Sequence, residues 1–438
     1  MQHVDTLIKA GWMMTVDPDF RILENHVLAM KAGRIVAISD DAMQFTAEQT
    51  LDLPGHILMP GLVNAHGHAA MSLFRGLTDD LPLMDWLNHY IWPAEQQYVD
   101  ARFVHDGTQL AIAEMLLSGT TTFSDMYFFP EVVAEMVQQS GIRAQLSFPI
   151  FDIASNWGRN AEEYLQKGLN IMQQYQGHER LRIAFGPHAP YTIGNEPLTK
   201  IARLASEHNA CIQMHLHETA FEIDSALKEY GQRPLQRMAD IGLLGPHFQA
   251  VHMVHLNDDD IRLVADSGSH IIHCPESNLK LASGFCPVQD CLNAAINIAL
   301  GTDGAASNSD LDLLGEMRTG ALLAKAVAND AAALNARTAI EMATINGARA
   351  LAIDDITGSL ETGKAADIIA IDCSGIGQLP LHHPLSQLVY TNISHKVSHS
   401  WVNGQLLLDN YQLTTIDTRQ CQANARHWQQ QLAGIANQ

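Results

Sequence analysis

A chain of 438 residues, 47% of them hydrophobic, can bury a large core with room for a smaller second unit. Its net charge of -22 excludes a nucleic-acid-binding surface, because a polyanion would be repelled. The six cysteines form no C-x-x-C pair, no apolar stretch reaches bilayer length, and Met1-Gln2-His3-Val4-Asp5 lacks the basic-then-apolar start of a signal peptide. Free thiols and a cytoplasmic location are therefore expected.

In chain order, residues 27–38 read as two strands around a Gly turn. The apolar run 57–65 reads as one buried strand that ends at His66-Gly67-His68. Residues i and i+2 of a strand project from the same face, so both imidazoles can point at one ion. Strand-like segments follow at 119–125, 144–148, 183–188, 211–215, 248–252, 269–273 and 297–303. They carry Asp125, His188, His215, His252, His273 and Asp303 at or near their C-terminal ends, and helix-like stretches lie between them. Eight such strands predict a (β/α)8 barrel, an α/β fold whose active site forms at the C-terminal strand ends. Residues 363–371 supply another strand, and Asn403-Gly404 inside 400–408 is a tight-hairpin signal. A small β-sandwich domain is expected from residues 1–57 and 359–438, with the barrel at 58–358. Residues 418–438 read as a terminal helix whose role is not legible.

Three imidazoles and one carboxylate suit a borderline divalent ion and leave a position for water. Glu218, three residues past His215, can face a substrate instead of the ion. Its plain alternative is a glutamate favoured at a helix start. His252 is a second candidate proton handler, with His255 as its confounder.

Several stretches carry a family resemblance: Pro60-Gly61-Leu62-Val63-Asn64-Ala65-His66-Gly67-His68, Ile91-Trp92-Pro93-Ala94-Glu95, Gly186-Pro187-His188-Ala189-Pro190-Tyr191, Pro275-Glu276-Ser277-Asn278-Leu279-Lys280-Leu281-Ala282-Ser283-Gly284 and Gly301-Thr302-Asp303-Gly304-Ala305-Ala306-Ser307-Asn308. Over nearly its whole length the chain resembles the amidohydrolase superfamily. Within it, the chain is similar to the methylthioadenosine/S-adenosylhomocysteine deaminases and their chlorohydrolase and guanine deaminase relatives. The resemblance implies His66, His68, His215 and Asp303 as ligands of one divalent metal, zinc or alternatively iron. A two-metal member would carry a bridging lysine near the end of strand four, where this chain has Gly186-Pro187-His188.

The resemblance further implies that Glu218 moves a proton from water to the ring nitrogen beside the attacked carbon. His252 would orient the nucleophile, and Asp303 would pass a proton to departing ammonia. For the substrate, it implies Glu95 on ribose hydroxyls and His188 on the nucleoside, with Arg159 available for an amino-acid carboxylate. Glu95 as a helix-surface charge, His188 as a loop residue and Arg159 as a solvated cation remain the plain alternatives. A second arginine expected near the end of strand three is replaced by Ser147-Phe148-Pro149. Trp86, Trp92 and Phe74 are candidates for an apolar wall or for core. The expected reaction is hydrolytic deamination of an adenine nucleoside, with guanine, oxoguanine or triazine hydrolysis as the rival. A metal-bound protein without catalysis is the rival from another class. The expected partner is a small nucleoside, with neither nucleic acid nor membrane, and self-association is left open.

Overall fold

The computed structural model describes residues 1–436. Two eight-stranded sheets organise it. The first is all parallel and runs in chain order: Leu62–Asn64, Thr120–Asp125, Arg143–Ile150, Leu181–Pro187, Ile212–Leu216, Phe248–His252, His270–His273 and Ile298–Leu300. The last strand returns to the first, where the Ala65 N–H donates to the Leu300 carbonyl at 2.9 Å. Strands such as Ile271-Ile272 and Ile298-Ala299-Leu300 are buried throughout, as parallel strands covered by helices on one face and barrel core on the other must be. This is a (β/α)8 barrel, and its short strands deliver the functional side chains to one rim.

The second sheet is mixed and draws on both ends of the chain. The long strand Phe45–Pro60 pairs parallel with Gln2–Met14 and antiparallel with Ile368–Asp372. Alternation divides its side chains between two cores. Ile57, Met59, Ile369 and Ile371 pack into the cluster shared with the barrel. Leu58, Ile368 and Ala370 face the other way, into a core with Ile8, Met13 and Trp401. A buried Arg143–Asp367 pair, at 2.8 and 3.2 Å, fastens this sheet to the third barrel strand. The Asn403-Gly404 turn has positive φ at both residues, as its sequence signal requires.

The run 57–65 is not one strand. It crosses from the terminal sheet to the barrel at Pro60-Gly61, where the Gly61 N–H bonds Asp367 and the Leu62 N–H bonds Gly119. A Cβ on Gly61 would lie 2.0 Å from Thr121 Oγ1, so only glycine permits the transfer. Hydrophobic periodicity does not reveal which sheet a residue joins.

The terminal helix runs Thr418–Ala436, and the last two residues of the expected helix lie outside the described residues. Its Asn424 and Trp428 side chains donate to Asp106 at 3.0 and 2.9 Å, and Trp428 meets Phe103 edge-on. Both partners sit on the helix Ala101–Leu117, which presses at Gly107 against Ala70, just beyond His68. The terminal helix thus braces the segment behind the candidate metal site. Among the described residues no helix is long and apolar enough to cross a membrane.

Candidate metal centre and active site

His66, His68, His215 and Asp303 present ligand atoms that all lie within 4.8 Å of one another. The outer nitrogen of each imidazole is already engaged: His66 Nδ1 with Gln213 Oε1 (2.9 Å), His68 Nδ1 with Met126 O (2.7 Å) and His215 Nδ1 with His188 O (2.8 Å). Each acceptor places a proton on Nδ1 and leaves the Nε2 lone pair free to bind a cation. His66 Nε2 is fully buried with no hydrogen-bond partner. Asp303 Oδ1 lies 3.4 Å from His66 Nε2 and 3.1 Å from His68 Nε2. Its Oδ2 accepts from Ser277 and Ser307, both at 2.7 Å.

The electrostatics call for positive charge at this point. Burial opposes ionisation of Asp303, yet the imidazoles of His66 and His68 beside it hold its carboxyl well below the usual range. Burial likewise opposes a charged His68, but the hydrogen bond and charge of Asp303 push it up to about 9. His215 is held well below 6.5 by burial and by the surrounding imidazoles, which suits a neutral ligand. Buried, convergent imidazoles beside an ionised carboxylate that draws positive charge onto His68 fit one divalent cation, which would take the place of that proton.

Three polar groups surround the cluster. Glu218 lies just past the fifth strand, and burial followed by repulsion from Asp303 raises its pKa to about 8. His252 Nδ1 is held by Asn278 Oδ1 at 3.0 Å, so its Nε2 points inward, 3.9 Å from Glu218 Oε2. Buried Glu222 accepts the main-chain N–H groups of His217 (2.8 Å) and Glu218 (3.0 Å) with its two oxygens. His217, His252 and Asp303 all have left-handed φ, at 54, 73 and 60°. Such conformations are strained for side chains of this size and cluster at sites where geometry is imposed.

His68, His215, Glu218, His252 and Asp303 line a cavity of about 360 Å³. Trp86, Leu87, Ile91, Trp92, Phe128 and Phe151 form much of its apolar wall. Glu95 lies in the helix Trp92–Tyr98, its open face toward the cavity, and Oε1 accepts from Tyr127 Oη at 2.8 Å. Burial raises its pKa to about 7, against the Tyr127 hydrogen bond. His188 also lines the cavity, packed on His215 and Phe151, and burial drops its pKa to about 3. Among the described residues that line the cavity there is no lysine or arginine.

The structure therefore brings together His66, His68, His215, Asp303, Glu218, His252, Glu95 and His188. It leaves Arg159 outside: that side chain is 83% exposed and bonds Glu163, four residues on, at 2.6 Å. His255 is also turned away, with Nε2 on Ser283 O at 2.8 Å. Trp86 and Trp92 are wall, whereas Phe74 is core against Phe103. Sequence reasoning missed the supporting set of Gln213, Glu222, Tyr127, Ser277, Asn278 and Ser307. Ser277, Asn278 and Ser307 lie inside stretches already singled out, and position two to four residues from a ligand or helix start was the available signal. Asn156, beside Arg159, was the informative residue of its loop. Its amide donates to the carbonyls of Glu95, Gln96 and Val99 at 2.9–3.1 Å and fixes the end of the Glu95 helix.

The amidohydrolase family pattern matches residues 57–407. A 5-methylthioadenosine/S-adenosylhomocysteine deaminase of Saccharophagus degradans is 53% identical over 428 residues, spanning 97% of this chain and 96% of that protein. An adenosine deaminase of Xanthomonas campestris, solved with bound zinc, is 44% identical with a TM-score of 0.97, over 99% of each chain. An atrazine chlorohydrolase of Arthrobacter aurescens, solved with zinc, is 25% identical with a TM-score of 0.92, over 97% of this chain and 99% of that one.

Proposed function

The chain belongs to the amidohydrolase family, and from that premise we propose that it deaminates an adenine nucleoside by hydrolysis, giving the inosine form and ammonia. One observation carries the reading: a single cavity is lined by His68, His215 and Asp303 of the cation-binding cluster, by the buried carboxyl of Glu218 beside them, and by a second carboxyl, Glu95. His66, His68, His215 and Asp303 would hold one divalent ion, zinc in keeping with the solved relatives. Bound there, the ion supplies a water acidified to near-neutral pKa.

The chain's own residues do the rest. Glu218 accepts a proton from the attacking water and delivers it to the ring nitrogen beside the attacked carbon, making the amidine electrophilic. Burial raises the pKa of Glu218, which suits a carboxyl that takes up a proton and then gives it away. His252, its Nδ1 anchored on Asn278, presents Nε2 to the nucleophile and to the charge that develops in the tetrahedral species. Asp303, fixed by two serine hydroxyls, takes the second proton and hands it to the departing ammonia. Oε1 of Glu95 is committed to Tyr127, so Oε2 remains to accept from ribose hydroxyls.

Among the nucleosides, methylthioadenosine fits best. Much of the wall is apolar, and among the described residues no lining cation meets the carboxylate of a homocysteine tail. The likeness to a triazine-processing enzyme keeps a free heteroaromatic substrate as the second reading, and Glu95 separates the two, since only a ribose needs it. The six cysteines are free and buried, in keeping with a cytoplasmic location. Ammonia release measured across adenosine, methylthioadenosine, S-adenosylhomocysteine, adenine, guanine and a triazine tests the assignment. Nucleosides should be used and free bases scarcely; best activity on a free base or triazine overturns it.

A further inference from the structure

Beneath the candidate metal site the barrel interior is polar, where such barrels are ordinarily filled by layers of Val, Ile and Leu. Gln145, Gln213 and Gln249, from the third, fifth and sixth strands, are each no more than 2% exposed. The Gln213 amide nitrogen donates to Ala65 O (3.0 Å), Ser124 Oγ (3.2 Å) and Gln249 Oε1 (2.7 Å). Gln249 donates in turn to Gln145 Oε1 (3.2 Å) and to the main-chain carbonyl of Ala350 (2.7 Å). Gln145 returns a bond to Gln249 Oε1 at 2.9 Å.

The direction of these bonds is forced. Carbonyl oxygens only accept, so Ala65 O and Ala350 O fix which end of Gln213 and of Gln249 is the NH2 group. With its NH2 end committed, Gln213 must turn Oε1 toward His66 Nδ1, 2.9 Å away. That nitrogen must then carry the proton, and His66 Nε2 is left as a bare lone pair beside Asp303. His68 and His215 receive the same service from main-chain carbonyls. Among the three imidazoles, His66 is the one whose tautomer depends on a side chain.

We infer that Gln213 sets the metal affinity of the site as a positioning residue acting through His66, its own amide end fixed by Ala65 O and Gln249. The inference rests on the mononuclear metal reading given above. A fully satisfied buried network is rigid, so it holds the His66 ring and tautomer in place before the cation arrives and lowers the reorganisation that binding requires.

The test is zinc affinity of the stripped protein, measured by competition with a chromogenic chelator, alongside melting temperatures of the stripped and zinc-loaded forms. Gln213→Met removes the acceptor at nearly constant shape and should weaken zinc binding about ten- to a hundredfold. Gln145→Met breaks the same layer without touching a ligand's partner. It should lower the melting temperature of the stripped protein yet leave zinc affinity within about threefold. Gln213→Glu, protonated when buried, keeps a carbonyl oxygen for His66 and one donor for the layer, and should bind zinc within about threefold of wild type. Wild-type affinity in Gln213→Met, or equal losses in Gln213→Met and Gln145→Met, overturns the inference. If Gln213→Met does not fold, Gln213→Glu carries the test, and a tenfold loss there overturns it. A wild-type protein that binds no zinc overturns the metal reading itself, a result distinct from zinc binding that Gln213 does not control.

Discussion

Replacing Glu95 by alanine separates nucleoside from nucleobase chemistry. Glu95 faces the cavity with Oε1 on Tyr127 and Oε2 uncommitted. A ribose presents two neighbouring hydroxyls, and hydrogen bonds to a charged acceptor contribute about 1.5–3 kcal/mol. Glu95→Ala should therefore cut kcat/KM on adenosine and methylthioadenosine roughly ten- to a hundredfold. Free adenine has no hydroxyl to lose, so any activity on it should change by less than about twofold. Glu95→Gln retains one oxygen acceptor and should fall between wild type and alanine. The pH dependence has a definite sign. With its pKa raised to about 7 by burial, Glu95 is ionised above that value and gains a proton below it. KM for nucleosides should rise as pH falls through this region, and since a bound cation lowers the pKa, the rise begins at or below 7. In Glu95→Gln this limb should vanish. Steady-state kinetics on adenine and on nucleosides from pH 5 to 9 reads all three effects. Equal losses on adenine and adenosine, or no loss on either, would refute the ribose role.

Glu218→Gln should keep its metal and still bind nucleoside, yet lose turnover on the order of a thousandfold, read by elemental analysis and stopped assays. Loss of the metal instead would make Glu218 a ligand. His252→Asn should show the same metal-retaining defect, whereas His255→Asn, whose ring faces Ser283 O, should stay within about threefold of wild type. Glu222→Gln sets an amide NH2 against a buried main-chain N–H and should lower kcat roughly tenfold, with metal content unchanged. An unchanged kcat would show that Glu218 needs no such clamp. With no lysine or arginine among the described residues that line the cavity, methylthioadenosine should be used at least as efficiently as S-adenosylhomocysteine. The reverse order would require a cation to reach the cavity by movement of the 151–160 loop.

The barrel and the ligand cluster were legible because strand ends repeat along the chain with chemistry-bearing residues on them. What failed depended on partners far away in sequence. Pro60-Gly61 carries the chain between two sheets inside an unbroken apolar run, and only the approach to Thr121 shows why. The acceptor for His66 lies on Gln213, which in sequence is one more polar residue alternating along a strand. Arg159 looked available for a substrate because sequence does not show that its loop turns outward and delivers it to Glu163. Sequence also could not show that the strand ends at His252, where left-handed residues redirect the chain, so that His252 faces the cluster and His255 turns to Ser283 O.

The most direct test of the account is a zinc titration of metal-free protein, following ammonia and the inosine-form product from methylthioadenosine together. The account predicts equal yields of the two products, with activity rising linearly and levelling at one zinc per chain. Turnover that levels only at two zinc ions, or a metal-loaded protein that releases no ammonia from any adenine nucleoside, would contradict it.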